Sequence, residues 1–250
     1  MLELYHAHIS TCSQKVRLCL AEKELDWTGH AINFARGDHL SDDYMMLNRN
    51  GVVPTLLHDG RPVIDSSVIC EYLEEQFPRN GNPVMPASAY DRAKVREWMR
   101  YIEEVPTTAI RYSSFNTLFI DAFKQRTPEQ RQAQIARTPL RKELYKQFGK
   151  TGFSDDAIAS SKERLHQALE RMDQDLQKSE WLAGAFSIAD ICVLPTIIRM
   201  EDIGLEYIWD EFDAVQSWLS RFKKRASFNM AYYEGARVKP GMTNILGGEE

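Results

Sequence analysis

The chain has 250 residues, of which 43% are hydrophobic and 27% are charged, and its formal net charge is −5. This composition is typical of a globular protein with one or two domains, and the acidic balance without a Lys/Arg block argues against nucleic acid as a partner. No apolar run approaches the roughly 20 residues that span a bilayer. The chain enters a strand without a leader pattern and its cysteines lack metal-ligand spacing, so we expect a cytoplasmic protein with free thiols and no metal.

The first 79 residues alternate between strand and helix patterns. Strands are predicted at about residues 2–5, 28–34, 54–58 and 61–64, and helices at about 12–24 and 66–77. This order requires a mixed sheet with helices on its faces. Cys19 and Cys70 fall on apolar helix faces and are expected to be buried. The proline- and glycine-rich residues 80–88 then predict a linker.

Residues 89–250 have a helical pattern and predict a second, all-helical domain. The expected helices lie at about residues 89–122, 154–178, 187–203 and 211–225. The polar stretch at 123–153 is too long for a bare connection, so it is expected to carry short helices or form a lid. The tail from Val238 contains glycines and a proline and is predicted to fray.

Three hydroxyls and a thiol stand at the predicted start of the first helix: Ser10, Thr11, Cys12 and Ser13. The free N–H groups and positive dipole at a helix N-terminus favour an anion, including a thiolate. The plainer interpretation is that Ser10 or Thr11 only caps the helix.

Two further segments are candidates for ligand binding. Pro54 opens an apolar strand, and a cis Val53–Pro54 bond would let the Val53 backbone face an extended peptide, although trans bonds are far commoner. Ser66 is a candidate N-cap of the next helix, or its hydroxyl and the adjacent N–H groups form a carboxylate site. Asp65 is placed to hold a ligand ammonium.

The segments S-T-C-S-Q-K-V-R-L, N-R-N-G-V-V-P-T-L and D-S-S-V-I-C-E-Y-L-E-E together resemble the glutathione transferase superfamily. The resemblance implies an α/β thioredoxin-like N-terminal domain (residues 1–79), a linker (80–88) and an all-α C-terminal helical domain (89–250). It also implies glutathione as co-substrate and a homodimer.

The resemblance assigns roles to individual residues. Val53, before a cis Pro54, would pair with the cysteinyl backbone of glutathione, and Asp65 with Ser66 would hold its γ-glutamyl end. His39 falls where several classes bind the glycine carboxylate. The family more often has Glu or Gln at the position of Asp65.

In the second half, Ser187-Ile188-Ala189-Asp190 looks like the buried capping box of the same family. The Ser187 hydroxyl can accept a hydrogen bond from the N–H near Asp190, and the Asp190 carboxylate can accept one from the Ser187 N–H. We therefore expect a folding role for Asp190 rather than a catalytic one.

The nucleophile of this family is the glutathione thiolate, which a hydroxyl donor stabilises in the serine-type members. That donor would be Ser10, with Ser13 next in line. Cys12 leaves an alternative open, because the same pattern occurs in zeta-class maleylacetoacetate isomerases and in tetrachlorohydroquinone reductive dehalogenases. In the dehalogenases the cysteine resolves a glutathione adduct. Other segments resemble β-aryl etherases, and a non-catalytic ligand-binding protein is the alternative from another class.

A hydrophobic aromatic electrophile is expected between the domains. Candidate lining residues are His8, Ile9, Arg111, Tyr112, Phe115 and Asn116. Arg111 could steer a phenolate or carboxylate. The alternative is that Tyr112 and Phe115 pack in the helical core while Arg111 faces solvent. We place aryl ether cleavage or general conjugation ahead of reductive dehalogenation, and isomerisation last.

Overall fold

A computed structural model describes residues 1–149 and 151–238. The strands are β1 (Leu2–His6), β2 (Thr28–Ala31), β3 (Thr55–His58) and β4 (Arg61–Ile64). The helices of the first half are α1 (Thr11–Glu22), α2 (Asp42–Leu47) and α3 (Ser66–Gln76). Those of the second half are α4 (Ala89–Glu104), α5 (Pro106–Leu118), α6 (Ile120–Lys124), α7 (Pro128–Arg137), α8 (Lys142–Gln147), α9 (Asp155–Leu176), α10 (Ile188–Asp202), α11 (Asp213–Lys223) and α12 (Ala226–Ala231). The tail predicted to fray lies, apart from Val238, outside the described residues.

The sheet has the order β2-β1-β3-β4 and is mixed, as predicted. β1 runs parallel to β2 and antiparallel to β3, and β3 and β4 form the hairpin. In the register, Leu4 pairs with Gly29 on one side and with Leu56 on the other. An α/β unit followed by helices confirms the predicted fold class.

Strand β2 ends earlier than predicted, at Ala31 rather than at residue 34. The side chain of Asn33 accepts from the N–H groups of Ala35 and Arg36, at 2.8 and 3.1 Å. This local turn competes with the sheet and ends the strand. Helix α2 then forms where only an irregular loop was expected.

The single helix predicted at residues 89–122 is wrong. The structure has three helices there, because Pro106 lacks an N–H and begins a new helix directly after Val105. Phe119 separates the second helix from the third. Helix α5, begun at Pro106, packs against α9 and α10.

The stretch expected to carry short helices does so, in α7, a 3₁₀ turn at Pro139–Arg141, and α8. We call residues 128–149 the lid segment. It contacts the first half through an ion pair between Arg137 and Asp42. The Arg137 carbonyl also lies only 2.7 Å from where a Cβ on Gly51 would be, and Gly51 has φ of +58°. Glycine is therefore required at this close approach.

The two halves share one hydrophobic core. Helix α1 packs against α3, α10 and α12, and its Val16 and Leu20 belong to the same cluster as Ile191 of α10. An ion pair at 2.5 Å joins the buried Lys15 of α1 to the partly exposed Glu103 of α4. These contacts fix the position of α1, whose first turn carries the serine and cysteine motif.

Two of the free cysteines were expected to be buried, and both are. Cys19 and Cys70 are buried and belong to the shared core, whereas Cys12 is partly exposed. Among the described residues, no helix is long and apolar enough to cross a membrane, and no group of three or more His, Cys, Asp or Glu side chains is placed to hold a metal ion.

Candidate active site

The first turn of α1 is capped by Ser10. Its Oγ accepts from the Ser13 N–H at 3.3 Å, so of the two residues offered as caps it is Ser10 that caps the helix. Capping uses only a lone pair of the hydroxyl, and within the described part of the chain no protein group accepts its proton. Ser10 can therefore cap the helix and still donate to an anion. The N–H groups of Thr11 and Cys12, in the first turn of α1, have no hydrogen-bond partner among the described residues.

Ser13 faces elsewhere. Its side chain is fully buried, and its Oγ accepts from the Ala7 N–H at 3.3 Å. It lines neither of the two cavities described below. The structure thus separates the two serines that the sequence offered as donors, and only Ser10 borders open space.

The Val53–Pro54 peptide bond is cis, as the resemblance implied. Tyr44 Oη donates to the Val52 carbonyl at 2.7 Å and Asn48 Nδ2 donates to it at 2.9 Å. No hydrogen bond to a described residue uses the backbone N–H or C=O of Val53. Tyr44 and Asn48 hold this loop and were not identified from the sequence, because Tyr44 lies in the unforeseen helix α2 and Asn48 is the residue that ends it.

The N-cap of α3 is Asp65, not Ser66. Asp65 Oδ1 accepts from the N–H groups of Ser67 and Val68, at 3.0 and 3.3 Å, and from the Ser67 hydroxyl at 2.7 Å. Asp65 also has a positive φ of 73°, a conformation that few residues other than glycine adopt. The Ser66 hydroxyl is therefore released from capping and borders a cavity near Val53.

Two adjoining cavities surround these residues. The aromatic cavity has a volume of about 150 Å³ and an apolar wall of Phe34, Ile110, Phe115, Phe119, Phe123 and Tyr145. Cavities of this order can hold one benzene-sized ring. Ser10, Cys12 and Val53 border its polar end. The Asp65 cavity, of about 270 Å³, contains Asp65, Ser66 and Asn48.

The two cavities meet at a shared set of residues. Both are bordered by Cys12, Val52, Val53, Arg111 and Arg141. A peptide lying along Val53 from the Asp65 cavity would therefore reach the aromatic cavity near Ser10. This arrangement can bring a thiol and an aromatic carbon together at the N-terminus of α1.

Four residues of the apolar wall, which we call the aromatic wall, belong to a small core of their own: Phe115, Phe119, Phe123 and Tyr145. Phe115, Phe123 and Phe148 meet edge to face, with ring centroids 5.3 Å apart for Phe115–Phe148 and 4.8 Å for Phe123–Phe148. Tyr145 stacks on Phe123 at 5.7 Å. These contacts fasten α8 of the lid segment to α5 and α6, which gives the cavity a preformed wall.

Of the residues expected to line the electrophile site, Ile9, Arg111 and Phe115 border the aromatic cavity. His8, Tyr112 and Asn116 do not. His8 Nδ1 hydrogen-bonds the Tyr233 hydroxyl at 2.5 Å, and the Tyr112 ring packs at a tilt against Phe153, with centroids 4.4 Å apart. Asn116 accepts from the Phe153 N–H at 2.8 Å and donates to its carbonyl at 3.1 Å. These residues hold neighbouring segments in place.

His39 borders the aromatic cavity and is buried, with its ring edge-on to Phe34 at 5.0 Å. Burial, helped by the nearby charge of Arg126, lowers the pKa of His39 to about 4. The imidazole is therefore neutral at pH 7, and no described residue satisfies its Nδ1. Its predicted contact with the glycine carboxylate would use a neutral N–H rather than a charge.

Arg111 stays charged although it is partly buried. Burial is the main cause that lowers the pKa of Arg111 to about 10, and the charge of Arg141 acts in the same direction. The adjacent Cys12 thiol and Glu103 act in the opposite direction. The sequence identified Arg111 but missed Arg141, which only the folding of the lid segment brings to the site.

Asp190 has the structural role expected of it. Its carboxylate accepts from the N–H groups of Leu182 and Ser187 and from Trp218 Nε1, at 3.1, 3.0 and 2.9 Å. Together with Ser187 it forms the predicted capping box of α10. Burial raises the pKa of Asp190 to about 6, and Asp190 borders neither cavity.

Comparison with known proteins agrees with this geometry. The glutathione S-transferase N-terminal domain family matches residues 4–83, and the C-terminal domain family matches residues 155–221. The chain is 30% identical to Protein LigF of Sphingobium sp. over 245 residues, which cover 94% of this chain and 95% of LigF. It is 27% identical over 252 residues to Glutathione S-transferase TCHQD of Arabidopsis thaliana, covering 94% and 92% of the two chains.

Among solved structures, the beta-etherase LigF from Sphingobium sp. superimposes with a TM-score of 0.84 at 24% identity. The superposition covers 92% of this chain and 98% of LigF, and it shows that the two share a fold. The sequence match extends over both halves of the molecule and includes the cavities between them. The chain belongs to the glutathione S-transferase superfamily.

Proposed function

We propose that this glutathione transferase attacks a hydrophobic aromatic electrophile, and that its reaction is the cleavage of β-aryl ethers. The observation that supports this most is the cavity of ring-sized volume whose polar end is bordered by Ser10. The similarity to LigF over 94% of the chain supports the choice of an ether, because a solved structure of LigF is described as a beta-etherase.

In this proposal each part of the site has one task. Asp65 and Ser66 hold the γ-glutamyl end of glutathione, the free N–H and C=O of Val53 pair with its cysteine, and His39 borders its glycine end. Ser10 donates a hydrogen bond to the sulfur, and the first turn of α1 adds its partial positive charge. Both favour the thiolate over the thiol.

The chemical step is a displacement. The thiolate sulfur forms a bond to the carbon that carries the aryloxy group, and the carbon–oxygen bond breaks with its electron pair going to oxygen. The phenolate that leaves takes up the proton lost by the thiol. No oxidant or reductant is needed, and the aromatic wall holds the ring in reach of the sulfur.

The test is calorimetric binding of glutathione followed by turnover of an aryl ether. Ser10→Ala should lower kcat/KM by about 10²-fold or more while glutathione still binds, since a lost donor to a developing or stabilised anion has that scale of effect. Ser10→Thr should restore part of the activity. Ser154→Ala is the matched control, because Ser154 also caps a helix, α9, but lies far along the chain from α1 and borders neither cavity.

Two outcomes would reject the proposal. If the protein does not bind glutathione, it has no glutathione-dependent activity. If it binds glutathione but turns over no aromatic electrophile, the non-catalytic alternative is favoured. Full activity of Ser10→Ala would move the thiolate donor to Ser13 or to a backbone N–H of the first turn.

Reductive chemistry is a second candidate because Cys12 borders both cavities and lies beside Arg111. The Cys12 thiolate would attack the sulfur of an aryl–glutathione adduct, forming a disulfide while the aryl carbon takes a proton. A second glutathione would then release glutathione disulfide. Cys12→Ala would abolish this turnover and the mixed disulfide seen by mass spectrometry, whereas ether cleavage would survive the substitution. Isomerisation is the third candidate reaction.

We also propose that the protein is a cytoplasmic homodimer with the domain boundaries predicted from the sequence. Analytical ultracentrifugation would measure the oligomeric state. A monomer at micromolar concentration would reject the dimer without affecting the proposed chemistry.

A further inference from the structure

The aromatic cavity is strongly basic. Its described lining contains no carboxylate but four arginine side chains: Arg111, Arg126, Arg141 and Arg199. Two of them are held by the protein. Arg126 donates to the side chain of Gln134, and Arg199 donates to the Ile9 carbonyl at 2.5 Å. Their guanidinium groups are therefore already directed by local partners.

The other two arginines are different. The guanidinium of Arg111 interacts with the thiol of Cys12, and neither Arg111 nor Arg141 forms a salt bridge with a described carboxylate. Both side chains are partly buried. They are near enough for the charge of Arg141 to act on Arg111. The neighbouring carboxylate, Glu103, already pairs with Lys15 at 2.5 Å. Two like charges thus share a half-buried site without a dedicated counter-ion.

Such an arrangement costs free energy unless an anion occupies it. Arginine presents a planar fork of N–H donors that matches a carboxylate in two parallel hydrogen bonds. Arg111 and Arg141 both border the junction of the two cavities, next to Cys12, and both also face the aromatic cavity. An anion attached to a ring in that cavity would lie between them.

We propose that Arg111 and Arg141 together bind a carboxylate on the aromatic substrate, so that the enzyme selects aromatic acids over neutral ring compounds. This rests on the proposed function, since it places the electrophile in the aromatic cavity. The γ-glutamyl end of glutathione is assigned to Asp65 and Ser66, in the part of the Asp65 cavity that the aromatic cavity does not share.

The first test measures binding without turnover. With S-methylglutathione present, nitrobenzoate should bind the wild-type protein about tenfold to a hundredfold more tightly than nitrobenzamide, as expected for charge-assisted hydrogen bonds in a partly buried site. Arg111→Gln and Arg141→Gln should each remove most of that preference. Lys142→Gln removes a neighbouring, exposed positive charge that borders neither cavity, and it should keep the preference.

The second test measures kcat/KM for a chlorodinitrobenzoate and its carboxamide with glutathione. Arg141→Gln should lower the value for the acid by about tenfold or more and leave the amide within about twofold. Equal affinity of the wild type for nitrobenzoate and nitrobenzamide would overturn the inference, as would equal losses for acid and amide. A weakened Kd for glutathione in Arg141→Gln, with the acid preference retained, would assign the pair to glutathione instead. Acid-selective binding without turnover would uphold the anion site and reject only the proposed function.

Discussion

Replacing Glu103 by glutamine should destabilise the folded protein by about 3 kcal/mol, because it leaves the ammonium of Lys15 buried without a negative partner. The Lys15 side chain is 1% exposed, and its other hydrogen bond goes to Thr107 Oγ1 at 3.2 Å. Glutamine preserves the size of the side chain, so the change removes charge and creates no cavity.

The size of the loss has an upper limit. If burying the unpaired ammonium cost more free energy than deprotonating it, Lys15 would lose its proton. Deprotonating a lysine at pH 7, when its usual pKa is about 10.4, costs about 5 kcal/mol. Burial is the largest single influence and lowers the pKa of Lys15, but the Glu103 carboxylate together with Cys192 and Cys12 outweighs it, so the pKa lies above its usual value. Without Glu103, burial alone should bring the pKa below that value.

The sign of the pH dependence follows from this reversal. In the wild type the raised pKa of Lys15 stabilises the fold fully below the unfolded pKa, and the contribution is lost as pH rises past the folded one. In Glu103→Gln the folded state binds the proton less well than the unfolded state, so stability rises with pH. The difference between the two proteins should therefore shrink from about pH 7 to about pH 10.

Urea unfolding at these two pH values measures the difference, and the core shared by both halves makes one transition the expectation. Glu97→Gln is the matched control, since Glu97 forms an exposed pair with Lys94 at 2.7 Å. Its midpoint should equal that of the wild type. A loss below about 1 kcal/mol for Glu103→Gln, or a difference that does not change with pH, would refute the reasoning.

Three other predictions concern separate parts of the molecule. Asp190→Ala should cost about 3 kcal/mol or more, because buried N–H donors lose their acceptor, and a melting temperature close to that of the wild type would contradict this. The pKa of His39 lies near 4, below the usual 6.5, so its contribution to stability, about 3 kcal/mol at most, is present above pH 6.5 and lost toward pH 4. His39→Asn should flatten the acid side of the stability profile, and an unchanged slope would argue against a neutral buried imidazole. Gly51→Ala should displace the lid segment through a clash with the Arg137 carbonyl and speed its cleavage in limited proteolysis, whereas unchanged cleavage would show that the contact yields without opening.

The parts of the site that the sequence could predict depend on local chemistry. Ser187 and Asp190 lie three residues apart and cap one helical turn, so their pairing needs no knowledge of the rest of the fold. Ser10 is likewise read from its place between a strand and a helix. The Val53–Pro54 bond is harder, because an X-Pro dipeptide permits both isomers and only the resemblance favoured cis.

The parts that were missed depend on tertiary contacts. Arg141 lies 30 residues after Arg111 in sequence, and the two come together because aromatic contacts fasten the lid segment to α5 and α6. The break at Pro106 could have been foreseen from the missing N–H. Tyr44 acts through the Val52 carbonyl, which no periodicity in the sequence reveals.

The aromatic wall has a consequence for how this enzyme can be altered. All the side chains of its cluster come from residues 112–158, and they form a core separate from the one shared by the two halves. Substitutions among Phe115, Phe119 and Phe123 can therefore be combined with little energetic coupling to the packing around α1. A library confined to this wall would vary the size and shape of accepted substrates and leave Ser10, the proposed donor to the glutathione sulfur, unchanged.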